Sequence, residues 1–214
     1  MKLDFFNILS FFVTLFAVAN VILYLKVLKG KSRAFRYFTL FLLFTVIILI
    51  TTTLIGKVFH QPNLFLSNIY LVVQILFLSL FYKELLTWKW IHIVLLIVLG
   101  FIAYQYIADP TLAIKYNPLG LSITHVILVG YSIMYFYKSL NTKSEFLIVN
   151  IGIFVYLLSS SLIFASGNLV LDLDISDDTR FMLINVNRFL FLTLQFLIFI
   201  EWYKNYRIKK SNDT

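Results

Sequence analysis

Residues 181–202 read FMLINVNRFLFLTLQFLIFIEW, an apolar run long enough to cross a bilayer that carries an arginine, Arg188, a few turns from its start. A transmembrane helix needs about 20 mainly apolar residues, and an arginine in hydrocarbon is unfavourable enough to require a buried partner or a water-filled cavity. Six similar runs precede it, roughly Phe5–Leu28, Phe35–Ile55, Leu64–Phe81, Trp88–Ile107, Leu119–Tyr137 and Phe146–Ala165. None contains a proline, and away from the ends of the runs Arg188 is the one charge. The expected fold is therefore all-α: a polytopic integral membrane protein of seven transmembrane helices forming one domain over residues 1–214.

Composition agrees. With 61% hydrophobic and 13% charged residues, the 214-residue chain lies outside the range of soluble domains. A membrane β-barrel would show short segments of alternating polarity, whereas these runs are apolar on all sides. The first run resembles a signal peptide at Ala17-Val18-Ala19, but its apolar stretch continues through Leu25 and Asp4 weakens the basic start, so a retained span is expected. The absence of cysteine excludes disulfides and thiolate chemistry.

Lysine and arginine set the expected orientation. Loops after the first, third, fifth and seventh runs hold 13 of the 18 basic residues, among them Lys26, Arg33, Lys83, Lys138 and Lys204. The other side has Lys2, Lys57, Lys115 and Arg180, with the acidic cluster Asp172, Asp174, Asp177 and Asp178. The positive-inside rule places the N-terminus outside and the C-terminus in the cytoplasm. The net charge of +8 is thus an orientation signal, dispersed over four loops, and no nucleic-acid partner is expected. The bilayer itself is the expected partner, with anionic lipid at Lys26–Arg36. The acidic cluster lacks the glycine and distal glutamate of an EF-hand loop and reads as a solvated loop.

The two ends of the chain also resemble each other. Lys26 and Lys31-Ser32 recur as Lys138 and Lys143-Ser144, Gln74 with Tyr82-Lys83 recurs as Gln195 with Tyr203-Lys204, and Thr51–Ile55 resembles Ser159–Ile163. These matches suggest a 3+1+3 plan, with parallel repeats at 1–87 and 119–210 around a linker helix at 88–108. Pro62, Pro110 and Pro118 all lie in loops or at helix starts, so continuous helices are expected.

Polar residues inside the runs mark where function would concentrate. Asn185, Arg188 and Gln195 fall on one helical face, a stripe expected to face protein, with Asn187 off it. One reading is an outward-opening pocket in which Arg188 recognises an anionic or carbonyl-bearing small ligand; the other is an arginine satisfied by neighbouring carbonyls and amides. His125 shares a face with Ser122 and Ser132 and is either a titrating group or a neutral packing residue. Gln74, Asn150, Asn20, Tyr24 and Tyr70 could also turn inward, with interhelical packing as the competing account. No metal or other cofactor is expected, because His60, His92 and His125 are dispersed. Enzyme chemistry finds no support either: Glu84, Glu145 and Glu201 sit at helix ends, and Gly130-Tyr131-Ser132 is only a fragment of a hydrolase motif.

The stretch Phe146-Leu147-Ile148-Val149-Asn150-Ile151-Gly152-Ile153-Phe154-Val155-Tyr156, followed by Ser159 and Phe164, resembles a family of uncharacterised seven-helix proteins of Bacteroidetes. Arg36-Tyr37-Phe38 and the ending Glu201-Trp202-Tyr203-Lys204 look similar too, although Ser160 stands where that family leads one to expect glycine. Members are often encoded beside sensor histidine kinases, so the resemblance implies a membrane sensor or kinase-partner role. The expectation is a non-enzymatic sensory or accessory protein signalling through a separate cytoplasmic protein. A small solute carrier with Arg188, Gln195, Gln74 and His125 around a central pocket is the alternative, and a structural subunit of a membrane complex is a third reading.

Overall fold

The computed structural model describes residues 2–115, 117–140, 144–172 and 177–207, with side chains described for 8–115, 117–140, 144–163 and 182–207. Seven α-helices account for nearly all of it: α1 (Lys2–Lys26), α2 (Arg33–Thr53), α3 (Phe65–Leu86), α4 (Ile91–Ala108), α5 (Pro118–Ser139), α6 (Leu147–Asp172) and α7 (Asp177–Asn205). Among the described residues there is no strand. Six of the helices are long and apolar enough to cross a membrane, while the described apolar part of α6, Leu147–Ile163, is shorter. The chain is a helical bundle of the multi-pass membrane type. The side chains of Asp172, Asp174, Asp177 and Asp178, and of Lys2, Lys143, Arg180, Lys209 and Lys210, lie outside the described residues.

Local chemistry explains where the helices start and stop. Ser32 Oγ accepts the Phe35 amide and Asn117 Oδ1 accepts the Gly120 amide, each satisfying an otherwise orphaned donor in the first turn. Pro118 occupies the first turn of α5, where its missing N–H is not needed. At the other end of α3, Thr87 takes a left-handed conformation (φ 62°) and closes the helix onto the Lys83 carbonyl. Asp109 caps a 3-10 turn at Pro110–Ala113 by accepting Thr111 Oγ1 at 2.7 Å and Thr111 N at 3.0 Å. These bonds, with lesser help from Lys115, hold its carboxyl below the usual carboxylate range.

One expectation is corrected. The second run does not end as a continuous α-helix, because Leu54–Val58 widens into a π-helical turn. Asn63 donates its side-chain amide to the Thr52 carbonyl, and a Cβ on Gly56 would stand 2.7 Å from that amide nitrogen. Glycine therefore lets the Asn63 side chain reach the helix backbone, the kind of insertion that accompanies a widened turn.

Helices α1, α2, α3, α5, α6 and α7 close into a ring in that order, and α4 lies outside it against α3. Side-chain bonds show the directions. Parallel pairs join α1 to α7 through Asn20–Gln195 and Leu23–Trp202, and α3 to α5 through Gln74–His125 and Leu85–Lys138. Antiparallel pairs join α2 to α3 near Thr52 and Asn63, and α5 to α6 through Ser132 and Asn150. On α4, Ile93, Leu96 and Ile97 are exposed by 61%, 70% and 65%, as side chains facing lipid would be. Beneath the basic loops the ring is sealed by the buried rings of Tyr24, Phe35, Phe38, Phe81 and Phe146, with centroids 5.2 Å apart at Phe38–Phe81 and Phe81–Phe146.

Candidate functional site

Toward the opposite end from this aromatic plug, the ring opens into a cavity of about 560 Å³. Its walls come from α1, α2 with its π turn, α3, α6 and α7. Exposed Thr53, Lys57 and Leu64 mark the mouth. Further in stand Arg188 and Asn187, then the apolar side chains of Val13, Ile48, Leu49 and Phe191. Thr45, Tyr70 and Tyr156 line the far end. The described lining includes two cations, Arg188 and Lys57, and no carboxylate. The volume falls within the usual range for small-molecule sites, which are mostly apolar with a few placed polar groups.

Arg188 is half-buried, and its Nη1 donates to Ser10 Oγ on α1 at 2.7 Å. The guanidinium thus reaches back toward the mouth while its stem lies along the cavity wall. Asn187, expected to meet a different neighbour, accepts Ser160 Oγ at 2.9 Å. Small serines in α6 permit this close approach to α7.

Below the cavity lies a connected set of polar side chains. Tyr156 lies beside Tyr70, Ser160 and Asn187, near enough for their polar groups to act on its hydroxyl. Tyr70 Oη accepts Gln74 Nε2 at 3.1 Å, and Gln74 Oε1 meets His125 Nε2 at 3.1 Å. Gln74 and His125 are buried, so the chain runs from the cavity wall into the α3–α5 seam.

The six candidate residues are not gathered in one pocket, which corrects the picture of Arg188, Gln195, Gln74 and His125 around a shared centre. Of Arg188, Asn185, Gln195, His125, Gln74 and Asn150, only Arg188 lines the cavity. Gln195 is buried against Asn20, whose Nδ2 donates to the Gln195 carbonyl at 2.8 Å and to Oε1 at 2.9 Å. The stripe on α7 does face protein, with both Arg188 and Gln195 meeting α1, and Asn185 is half-buried at its N-terminal end. Asn150 lies deeper, accepting Tyr82 Oη at 2.6 Å and Ser132 Oγ at 2.9 Å. Ser132 is committed there, away from His125, as an intrahelical separation of two turns requires.

Two residues escaped the sequence reading. Thr45, 4% exposed, lines the far end of the cavity, and its hydroxyl has no hydrogen-bond partner among the described residues. Glu201, read as a helix-end charge, is fully buried and accepts the Phe146 and Ile148 amides at 3.2 and 3.0 Å. No sequence signal marks either, because a threonine in an apolar run and an acid near a helix end both have ordinary explanations. Among the described residues no group of side chains is arranged to hold a metal. No family model, curated protein or solved structure matches the chain.

Proposed function

We propose that this protein is a non-enzymatic membrane sensor or accessory protein that binds a small ligand from outside and signals through a separate cytoplasmic partner. The observation that carries the proposal is a cavity holding Arg188 and Lys57, lined at its far end by Tyr156 and by Tyr70, from which the hydrogen-bonded chain Tyr70–Gln74–His125 leads on to α5. A ligand bound there touches Tyr70 and Tyr156, and any shift of their hydroxyls is felt in α5, which does not line the cavity. In this reading seven helices span a bacterial inner membrane with the N-terminus outside, which places the cavity mouth outside and the basic loops inside. A sensor histidine kinase, implied by the family resemblance, is the partner class.

A solute carrier remains the second reading, and one observation favours it. The ring has α1–α2–α3 and α5–α6–α7 in equivalent order, and each seam between the halves carries a glutamine from its third helix, Gln74 to His125 and Gln195 to Asn20. That arrangement supports a parallel 3+1+3 repeat. Against transport stands the thick barrier below the cavity, made of the Gln74–His125 layer and the aromatic plug.

The natural chain has no cysteine, so single cysteines report cleanly. Lys57→Cys should react with a membrane-impermeant maleimide from outside, and Lys29→Cys only after permeabilisation. Fluorophores at Lys29→Cys and Lys89→Cys should respond when hexanoate, used as an anionic probe, enters the cavity in proteoliposomes. Accumulation or exchange of radiolabelled hexanoate across the vesicle would overturn the sensor reading in favour of a carrier.

A further inference from the structure

The end of the bundle opposite the cavity carries a second, smaller cleft of about 280 Å³, bordered by the start of α2, the ends of α3 and α5, and the residues just before α6. The first three helices bring Arg33 and Glu84 to it, and the last three bring Lys138 and Glu145. Each half of the bundle thus supplies one cation and one carboxylate. Its walls are tied together: Lys138 Nζ donates to the Leu85 carbonyl at 2.8 Å, joining α5 to α3, and Tyr135 Oη donates to the Glu145 carbonyl.

The four charges are not equivalent. Glu84 closes on its chain neighbour Lys83 at 2.7 Å, and Lys138 is engaged at the Leu85 carbonyl. Arg33 and Glu145 are both exposed, yet neither forms an ion pair among the described residues. The Glu145 carboxylate accepts Ser32 Oγ at 3.4 Å, a long bond that brings it beside the residue preceding Arg33. A cation and a carboxylate therefore border one cleft without closing on each other. An anion drawn to Arg33 is repelled by Glu145, and a cation drawn to Glu145 is repelled by Arg33, so a ligand of one charge gains little. A ligand carrying both charges meets both, which makes the pair a device of selection as well as attraction. The volume lies just below the usual range of about 300–1,000 Å³ for small-molecule sites, so the ligand is small.

We infer that this cleft takes a small zwitterion, its carboxylate or phosphate on Arg33 and its ammonium on Glu145, with Lys138 and Glu84 adding to the field of each sign. Both contacts are charge-assisted, and the guanidinium can hold its anion by two bonds. A dissolved amino acid and the ethanolamine headgroup of a phospholipid share this chemistry. The site is separate from the Arg188 cavity and does not depend on it.

The test is calorimetric titration of the full chain, at low ionic strength in uncharged maltoside micelles, with β-alanine and phosphoethanolamine; propanoate and propylammonium are the singly charged controls. The zwitterions should bind about tenfold more tightly than either control. Arg33→Glu and Glu145→Arg should each weaken β-alanine by about ten- to a hundredfold, and the double variant, which restores one charge of each sign, should recover most of the loss. Arg33→Gln and Glu145→Gln serve as milder replacements should a reversal of charge impair folding. Lys26→Gln removes an exposed cation that does not border the cleft and should leave binding unchanged. Phosphatidylethanolamine added to the micelles distinguishes the sources: competition with the probe assigns the zwitterion to a lipid headgroup, and its lack assigns it to a dissolved solute. Controls that bind as well as the zwitterions, unaltered affinity in either single variant, or no binding of either zwitterion overturns the inference. Hexanoate titration reports on the Arg188 cavity alone, so failure there leaves the zwitterion site standing.

Discussion

Replacing Glu201 by alanine should destabilise the bundle more than any other single carboxylate substitution among the described residues. A carboxylate near the C-terminal end of α7 opposes that helix's own dipole, yet Glu201 is completely buried there. The compensation comes from α6, whose first turn presents the Phe146 and Ile148 amides to the two carboxylate oxygens at 3.2 and 3.0 Å, while Asn205 donates from the following turn. Alanine leaves two backbone donors without acceptors in a site closed to water. At about 1–3 kcal/mol for each, the loss is about 2–6 kcal/mol. Glutamine keeps one acceptor oxygen and turns an amide toward the other donor, so it should cost about half as much. Glu84→Ala is the control: that side chain is partly exposed and pairs with its neighbour Lys83 at 2.7 Å, so its loss should stay within about 0.5 kcal/mol. Reversible unfolding in mixed micelles measures the three variants, and hydrogen exchange at Phe146 and Ile148 localises the effect. An alanine variant within about 0.5 kcal/mol of the parent, or unchanged exchange at those amides, refutes the reasoning.

Asn150→Leu should cost about 2 kcal/mol, since it strands the hydroxyls of Tyr82 and Ser132, and in the same unfolding assay the added Tyr82→Phe change should be less than additive. Gly152→Val should cost about 1–3 kcal/mol, because even a Cβ there lies 2.9 Å from Leu194 Cδ1 and 3.2 Å from Leu197 Cδ1; Gly152→Ala should be milder, as flexible leucine tips yield and alanine favours helix. Asp109, whose folded-state pKa is depressed by Thr111, stabilises its 3-10 turn at pH values above the unfolded carboxylate pKa. That contribution should be lost as pH falls through the depressed value, read as faster exchange of the Thr111 amide, and Asp109→Asn should flatten the dependence.

Arg188 shows how far the sequence could be followed. Its spacing from Asn185 and Gln195 was enough to predict a polar face turned toward protein, and the structure places Ser10 and Asn20 of α1 against that face. Which helix would be there was not legible, because a ring of apolar helices can close in several orders and each run is apolar on all sides. The same limit explains why Gln74 and His125 were foreseen as inward-facing but not as a pair, and why Gln195 was drawn into a shared pocket it does not line.

The number of helices, their approximate extent and the asymmetry of charge between the two ends were determined by the sequence alone, because each depends on residues within a few positions of one another, whereas the widened turn at Leu54–Val58 depends on Asn63 folding back onto Thr52. Length of apolar run, proline placement and the side chains of Ser32 and Asn117 are local facts. The cavity, the bonded chain beneath it, the orphaned hydroxyl of Thr45 and the buried carboxylate of Glu201 depend on which helices touch and at what height. In an apolar surrounding hydrophobicity does not choose the neighbours; close packing and a few interhelical hydrogen bonds do, and those are properties of the assembled bundle.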